Sequence, residues 1–477
     1  MTSTLSRHSS LSLAQQLAQR VAEPIVQGLL APGTRMPSVR ECARRHGVSP
    51  YTVVAAYDQL QAQGLLEARR QRGFFVRDTK SCAQRTRHSP STQGPVALHA
   101  PIDATALIRG MFQAKVKAAP GMGTLPVEWL DLPLLHAALR KVIALEDAGE
   151  QYALQYGNPA GCERLRKALA LRIADHGINA RPDQLLTTLG ATHALDLITR
   201  TFLQPGDAVL VDDPGWAVEF ARLSRAGMRL LPVPRGVDGP NLEIMAHLIK
   251  SHKPRMYTTV SVLHNPTGNS LSLNAAHQIL RMAENANFMI VEDDSYSHLA
   301  PMHAPRLSAL DGLHRTLYVS GFSKILTPGW RVGFVAGSIE RIQQLTEAKM
   351  LSTLTTPPLF ERAMAHCLER GQLRRHAERV QAHLTAARQR VVRLVHDNGF
   401  KFVSPPNGLF GWIDVGIDTD RLAQSMLGDG WLLAPGSLFS ATRQGGTLMR
   451  INFASSQDAG FWKALVKAQA AIKPQNS

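Results

Sequence analysis

Between residues 185 and 336, short apolar segments alternate with longer helical segments, and this alternation constrains the fold more than any other feature. The apolar segments are rich in Val, Leu, Ile and Thr. Short buried strands separated by helices predict an α/β fold with a mostly parallel central sheet. The predicted strands span residues 185–188, 208–211, 228–232, 255–259, 288–292, 317–320 and 332–336.

A second, smaller α/β unit follows a long predicted helix between residues 374 and 398. Its predicted strands span residues 410–415, 431–434 and 448–453. A chain of 477 residues is too long for one ordinary core, so two or more domains are expected. Ligands bind where the carboxyl ends of such strands meet helix N-termini, so candidate site residues should follow the strands.

Residues 11–76 have a different pattern, of three helices and a hairpin. An amphipathic helix is predicted over residues 11–30, with Pro24 expected to kink it. A second helix is predicted over residues 37–45, and Ser49 and Pro50 suit the N-cap and first position of a third. The apolar segments 65–68 and 73–76 then predict a β-hairpin. Together these elements predict a winged helix-turn-helix.

Arginine is concentrated in the same region. Residues 1–77 contain ten arginines and no lysine against four acidic residues, and the whole chain carries a net charge of +16. An arginine fork suits phosphate and guanine contacts, so a polyanionic partner is expected. The alternative interpretation is a basic helical domain that binds another protein.

The stretches MPSVREC, GVSPYTV, AYDQL and GLLEARRQRGFFV resemble the winged helix-turn-helix of the GntR family. The resemblance implies binding to a double-stranded DNA operator, with Arg40 at a backbone phosphate. It also implies further DNA-contacting residues on the recognition helix and the wing, namely Ser49, Tyr51, Thr52, Arg70 and Arg72.

Three regions are predicted along the chain. Residues 1–78 form the DNA-binding domain, and residues 79–100 form a flexible linker because they are polar and without periodicity. Residues 101–477 form the large domain, with its small subdomain from about residue 375.

Lys324 is the first candidate site residue, because it comes just after the predicted strand 317–320. Desolvation at the end of a buried strand lowers the pKa of a lysine and frees its lone pair for Schiff-base formation. Asp293 ends another strand and can pair with a pyridinium nitrogen. Arg331 can hold a phosphate. The same anion suits the helix N-terminus at Gly190, Ala191 and Thr192.

Other candidates complete the set. Trp216, in the string DPGW, can cover one face of an aromatic ring. Asn265, in HNPTG, and Tyr296 can donate hydrogen bonds to a phenolate-like oxygen. Tyr156, in QYGNPAG, and Arg450, in LMRINF, are the remaining two. Each residue alone is a weak signal, and it is their order along the chain that is informative.

This ordered set resembles the fold-type I aminotransferases that use pyridoxal 5′-phosphate (PLP), over roughly residues 120–475. The resemblance implies that Lys324 forms the internal aldimine and that Asp293 keeps the ring nitrogen charged. Arg450, with Asn265 nearby, would bind the ligand carboxylate. The other implied cofactor contacts are Asn265 and Tyr296 at the ring oxygen, Trp216 on the ring, Gly190, Ala191, Thr192, Ser323 and Arg331 at the phosphate, and Tyr156 from a partner subunit of a homodimer. Gly321 departs from the small hydroxyl residue often found there.

A GntR-like module ahead of an aminotransferase-like body resembles the MocR type of bacterial transcription regulator. The resemblance implies a regulator that senses an amino acid, an amine or PLP itself through an external aldimine at Lys324. Two alternatives stay open. The chain is chiefly an active aminotransferase with a regulatory module, or its body is decayed and only dimerises the DNA-binding domain. The intact site residues permit transamination. Whether the protein is an enzyme is uncertain, and at most partial or secondary transaminase activity is expected.

Several classes of protein are disfavoured by the sequence. The four cysteines are scattered, which is typical of reduced thiols in the cytoplasm rather than of a disulfide framework. Residues 1–10 lack the apolar stretch of a signal peptide, and no apolar run is long enough to span a membrane. No metal-ligand spacing is evident, so a cytoplasmic protein without a metal or membrane partner is expected.

Overall fold

The computed structural model describes residues 12–26, 34–69, 73–77, 119–145, 154–301 and 303–472. It divides into two compact units, Met1–Leu98 and His99–Ser477. The predicted linker, residues 79–100, lies outside the described residues.

In its described residues, the first unit contains three helices and a hairpin. They are α1 (Leu13–Val26), α2 (Val39–His46), α3 (Pro50–Ala62), β1 (Leu66–Arg69) and β2 (Gly73–Val76). Ser38 and Ser49 cap α2 and α3, each accepting a hydrogen bond from a backbone N–H of the first turn. Gly47 ends α2 at a φ of 63°, a left-handed conformation that glycine adopts without strain. The antiparallel hairpin completes the predicted winged helix-turn-helix.

A small core holds this unit together. Leu17 of α1, Val53 and Leu60 of α3 and Leu66 of β1 are all buried. Tyr57 is buried as well, and its hydroxyl donates to the carbonyl of Pro37 at 3.0 Å. The helix predicted over residues 11–30 continues through Pro24 to residue 26, and residues 27–33 lie outside the described part.

The second unit is built on a seven-stranded sheet. Its strands are β3 (Leu185–Thr188), β4 (Ala208–Asp213), β5 (Arg229–Pro234), β6 (Met256–Thr259), β7 (Met289–Asp293), β8 (Thr316–Gly321) and β9 (Gly333–Ala336). The order is β3-β9-β8-β7-β6-β4-β5, and only β9 runs antiparallel to its neighbours. The prediction of a mostly parallel sheet is confirmed.

Helices connect the strands and cover the sheet. They are α4 (Leu132–Leu145), α5 (Glu163–Ala174), α6 (Ala191–Phe202), α7 (Ala217–Arg225), α8 (Leu242–His252), α9 (Leu273–Ala286), α10 (Leu307–Asp311), α11 (Ile339–Ser352) and α12 (Pro358–Glu369). Strands β3, β6, β8 and β9 are buried along their whole length, as expected for a sheet covered on both faces.

A smaller subdomain follows the long helix α13 (Gln372–Asp397). It consists of β10 (Lys401–Phe402), β11 (Phe410–Asp414), α14 (Thr419–Gly428), β12 (Ala434–Pro435), β13 (Leu448–Asn452) and α15 (Ala459–Ile472). The four strands form an antiparallel sheet in the order β10-β11-β13-β12. Two details differ from the prediction. The two-residue β10 was too short to recognise, and the strand predicted over residues 431–434 begins only at Ala434.

None of the helices in the described residues is long and apolar enough to cross a membrane.

Candidate cofactor and ligand site

Lys324 lies in the turn after β8, at the carboxyl end of the sheet. Its side chain is half-buried. Burial lowers the pKa of Lys324 to about 8, with the positive charge of Arg450 acting in the same direction and the carboxylate of Asp293 opposing both. An amine with this pKa is about one tenth neutral at about pH 7, a far larger fraction than for an ordinary lysine, and the neutral form is the one that attacks carbonyl groups.

Asp293 is the last residue of β7, the neighbour of β8, and pairs with Val319 in the sheet register. Its Oδ1 accepts hydrogen bonds from the backbone N–H of Ser295 at 3.0 Å and from the Ser295 hydroxyl at 2.5 Å. Burial raises the pKa of Asp293 to about 6 against these hydrogen bonds, and the nearby carboxylates of Glu219 and Asp294 act in the same direction as burial. A carboxylate in this setting is stabilised by a cationic partner.

Arg450, in β13, lies deep in the unit and is only 3% exposed. Its Nη1 donates to Asn265 Oδ1 at 2.7 Å and its Nη2 donates to the Gly121 carbonyl at 2.5 Å. The guanidinium also lies over the Phe410 ring, 4.4 Å from its centroid. Burial lowers the pKa of Arg450 to about 10. Its buried Nε has no hydrogen-bond partner among the described residues, so it is available to an incoming acceptor.

Gly123 connects Lys324 with Arg450. A Cβ atom at Gly123 would lie 3.8 Å from Lys324 Nζ and 3.8 Å from Arg450 Nη2. The amine and the guanidinium therefore face the same small space, and the absence of a side chain at residue 123 leaves that space open. Sequence reasoning missed this glycine, because it lies about two hundred residues before Lys324 and outside any recognisable motif.

The segment around Gly123 is tied to the small subdomain. Asn452, at the end of the strand that carries Arg450, donates through Nδ2 to the carbonyls of Met122 at 2.9 Å and Thr124 at 2.8 Å. The backbone N–H of Asn452 also donates to the Pro120 carbonyl at 2.9 Å. One wall of the space is thus fixed to β13.

Asn265 and Tyr296 lie beside Arg450 and are both buried. Asn265 follows β6 and accepts from Arg450, as described above. Burial raises the pKa of Tyr296 and so keeps its hydroxyl a hydrogen-bond donor, while its ring meets Phe410 edge-on at 5.4 Å. The two side chains offer neutral donors at one edge of the space in front of Lys324.

Trp216, at the N-cap of α7, is half-buried and lies on a small cavity. Asp293, Thr258, Val260 and His264 also line this cavity. A flat ring placed there would have the indole against it and the Asp293 carboxylate within its reach.

A candidate anion-binding site, called the anion seat below, lies between Arg331 and the start of α6 at Gly190 and Ala191. Gly190 has a φ of 80° and precedes Ala191, the first residue of the helix. Arg331 donates through Nη1 to the Ser323 hydroxyl at 3.3 Å and through Nη2 to the Leu189 carbonyl at 3.0 Å. A Cβ at Gly190 would lie 2.6 Å from Arg331 Nη2, so only glycine lets the guanidinium approach the turn. A helix N-terminus facing an arginine suits a phosphate.

Two further residues border the seat. A Cβ atom at Gly321 would lie 3.8 Å from the backbone nitrogen of Ala191 and would crowd the carbonyl oxygen of Val332 at 3.2 Å. The close packing of β8 on β9 thus explains the glycine that departs from the expected hydroxyl residue. Thr192 is exposed at the mouth of the seat.

Tyr156 lies apart from these residues. It is 83% exposed and lines an open groove together with Asn158, Lys167, Leu171 and Glu361. This exposure is what a side chain acting on another subunit requires, but the single chain does not bring it to Lys324.

Four of the predicted DNA-contacting residues, Arg40, Ser49, Tyr51 and Thr52, lie in the described part of the first unit. Arg40 is exposed in the first turn of α2. Ser49 accepts from the Thr52 N–H at 3.1 Å, and Tyr51, also in the first turn of α3, is 83% exposed. Arg70 and Arg72 lie outside the described residues.

These features fit PLP on the chemistry of the donors. A partly neutral lysine, a half-buried carboxylate for a ring nitrogen, a tryptophan beside a narrow cavity and an arginine at a helix N-terminus lie at the carboxyl edge of one sheet. The orphaned Nε of Arg450 fits the carboxylate of a second molecule.

Comparison with known proteins gives two family matches. Residues 127–466 match the aminotransferase class I and II family, and residues 13–76 match the gntR family of bacterial regulatory proteins. The cofactor of this aminotransferase class is PLP, so the cofactor prediction is confirmed.

Three relatives span different parts of the chain. YdcR of Escherichia coli (strain K12), described as an uncharacterized HTH-type transcriptional regulator, is 27% identical over 92% of this chain and 94% of its own. The 2-aminoadipate transaminase of Thermus thermophilus is 31% identical over 75% of this chain and 92% of its own. The crystal structure of LysN, the α-aminoadipate aminotransferase of Thermus thermophilus complexed with N-(5′-phosphopyridoxyl)-L-leucine, has a TM-score of 0.70 at 26% identity and covers 77% of this chain and 95% of that one.

The two enzymes cover about three quarters of this chain, whereas the regulator covers 92% of it. The chain therefore belongs to the aminotransferase class I and II family and, with a gntR-family module ahead of that domain, is a transcription regulator of the MocR type.

Proposed function

We propose that this protein regulates transcription by binding an operator through residues 1–78 and by sensing, through its PLP site, an amino acid or amine, or PLP itself. The observation that carries the proposal is the space at Gly123, which Lys324 and Arg450 face together. A site that served only to hold the fold would not need a partly neutral amine opposite a guanidinium whose buried Nε has no partner among the described residues.

The geometry described above supports the following proposed contacts to the cofactor. Lys324 supplies the amine, Asp293 holds a proton on the ring nitrogen, Trp216 covers the ring, and Asn265 and Tyr296 donate to its oxygen. Gly190, Ala191, Thr192, Ser323 and Arg331 would bind the phosphate. When bound, PLP supplies an aldehyde that condenses reversibly with amines and a ring that withdraws electrons.

Arg450 would select ligands that carry a carboxylate. Its fork is already oriented by Asn265 and Gly121, so a carboxylate meets a rigid donor. The Lys324 amine lies 3.8 Å from where a Cβ at Gly123 would be. It would compete with the ligand's own amino group for the PLP aldehyde. Because Arg450 would bind the carboxylate and the amino group would compete with Lys324, the site would favour α-amino acids, which carry both groups.

The DNA-binding half of the proposal uses exposed residues. Arg40 would contact a backbone phosphate, and Ser49, Tyr51 and Thr52 would place the N-terminus of α3 on the DNA. Arg70 and Arg72 would extend the contact through the wing. Residues 79–100 would act as a tether, and a homodimer, with Tyr156 of each subunit reaching the other subunit's cofactor, would bring two such domains to paired half-sites. A coupling of about 1–3 kcal/mol between ligand and operator is sufficient for a useful switch.

A DNA-binding titration on the intergenic region upstream of the gene, with and without PLP, tests the proposal. Wild type should respond to PLP, and K324A should not. K463A is the matched control, since Lys463 is exposed on α15, and it should respond like wild type. Curves for wild type that are identical with and without PLP would remove the sensing model.

Transamination is the second candidate function. It is supported by the intact set of Lys324, Asp293 and Arg450 and by the 31% identity to a transaminase. Incubation with an amino acid and a 2-oxo acid separates the two functions. Sustained product formation favours the enzyme, whereas a single stoichiometric conversion favours the sensor.

A further inference from the structure

A second buried charged cluster lies outside the cofactor site. Lys349, in α11, is 0% exposed, and Glu361, in the first turn of α12, is 2% exposed. The Lys349 Nζ donates to the Thr187 carbonyl at 2.9 Å and to the Thr356 hydroxyl at 3.4 Å. Neither charged group has a part in the function proposed above.

Glu361 is the centre of this cluster. One carboxylate oxygen accepts hydrogen bonds from the hydroxyls of Thr187 and Thr356. The other accepts from the backbone N–H of Cys162 at 2.8 Å, a bond between residues 199 positions apart. Burying a carboxylate is unfavourable unless hydrogen bonds and a countercharge compensate, and here both are present.

The segment from Tyr156 to Cys162 is what this carboxylate holds. Gly161 packs so closely on Thr187 that a Cβ would lie 1.9 Å from the hydroxyl oxygen, and a Cβ at Gly157 would meet Pro358 at 3.1 Å. The Thr187 N–H donates to the Ala160 carbonyl at 3.1 Å. The segment is thus fastened at its Cys162 end, while Tyr156 at the other end is 83% exposed.

The same cluster lies beside the anion seat. Thr187, in β3, precedes the turn at Gly190 by three residues. Because Glu361 accepts from Thr187 and from Cys162, one side chain joins the strand that leads to the seat with the segment that carries Tyr156.

We propose that Glu361 is a positioning residue: its carboxylate holds the Tyr156–Cys162 segment on β3 and thereby sets where Tyr156 is delivered. This rests on the proposed role of Tyr156 at a partner subunit's cofactor. The acceptor geometry matters here more than the charge, since glutamine can still accept from the Cys162 N–H and donate to a threonine hydroxyl.

Hydrogen exchange on the full-length, PLP-free protein tests the first part. In E361M, which keeps the volume and removes both acceptors, the Cys162 amide should exchange about tenfold faster than in wild type. E361Q should restore protection. E369M is the matched control, because Glu369 lies on the same helix and pairs at the surface with Arg164. Unchanged exchange at Cys162 in E361M would overturn the proposal.

The dissociation constant of PLP tests the second part. Y156F and E361M should each weaken PLP binding by about tenfold, and the double variant should be no weaker than either, because both act through one contact. Additive losses, or no loss in Y156F, would overturn the route through Tyr156. Either result is distinguishable from failure of the sensing model, which is decided by DNA binding in K324A.

A milder variant guards against misfolding of E361M. T356V removes one of the two hydroxyls that Glu361 accepts from and keeps the shape of the side chain. It should raise exchange at Cys162 and weaken PLP binding in the same direction by a smaller factor. The absence of both changes in T356V would count against the proposal as directly as the absence in E361M.

Discussion

The two units use charge in opposite ways. The second unit includes charged groups that are buried and held by their neighbours, as with Arg450 at 3% exposure. The first unit includes charged groups that are exposed to solvent, as with Arg40. Under the proposed function, a small ligand would meet a desolvated, preorganised guanidinium, whereas DNA would meet hydrated surface cations whose binding releases counterions. The two halves should therefore respond to different variables.

Removal of the buried guanidinium should have the largest effect. R450M loses two charge-assisted hydrogen bonds to a carboxylate, so affinity for an α-amino acid should fall by about a hundredfold. Operator binding in the absence of ligand should not change. Absorbance titration of the PLP-loaded protein measures the ligand, and R390M, an exposed arginine of α13, is the control. Equal losses in both variants would contradict a specific carboxylate contact.

The second-largest effect should be that of pH on the rate at which the second unit captures PLP. Because the pKa of Lys324 is lowered to about 8, its neutral form grows as pH rises through that value. The rate at which apo-protein captures PLP should rise by about twentyfold between about pH 6.5 and 8.5 and then level off. Stopped-flow absorbance measures this rate. A rise that continues toward about pH 10 would mean that Lys324 has an ordinary lysine pKa.

Salt should act on the first unit. R40A should weaken binding to every DNA sequence by about tenfold and reduce the slope of log affinity against log salt by about 1. Fluorescence anisotropy at several salt concentrations measures both. R393A, an exposed arginine of α13, should leave the slope unchanged. If R40A has the wild-type slope, Arg40 is not at a phosphate.

The smallest expected effect tests whether the two units unfold independently of each other. S49A removes the N-cap of α3 and S338A removes that of α11, and each should cost about 1 kcal/mol of stability. Each loss should appear only in its own unit when hydrogen exchange is followed region by region. Protection lost in the other unit would show that the two do not unfold separately.

The sequence was most informative where a candidate functional residue lies at the end of a strand or the start of a helix. Lys324 and Asp293 could be predicted because each comes at the end of a short apolar strand, and strand ends are easy to recognise. Ser49 and Pro50 marked the start of α3 for a similar local reason. The fold class and the cofactor, which depend on such local signals in order, were both predicted and confirmed. The individual roles of the site residues stay predictions.

Contacts across long separations could not be predicted. Arg450 is held by Gly121, 329 residues earlier in the chain, and no pattern in either segment indicates the other. Nothing in the sequence around Glu361 marks it, because its burial depends on Thr187 and Cys162, which lie in other parts of the chain. The two-residue β10 is too short to have a periodicity at all.

The attachment of residues 120–124 to Asn452 has a mechanical consequence. Arg450 and the segment around Gly123 form one side of the site and belong to the small subdomain. Lys324 forms the opposite side and belongs to the large sheet. Under the proposed function, a ligand that bound Arg450 through its carboxylate and took the place of the Lys324 amine through its amino group would set the distance between the two sides of the site. Because Asn452 ties residues 120–124 to β13, a shift of the small subdomain would carry the guanidinium and Gly123 together, and the size of the bound ligand would then set that shift.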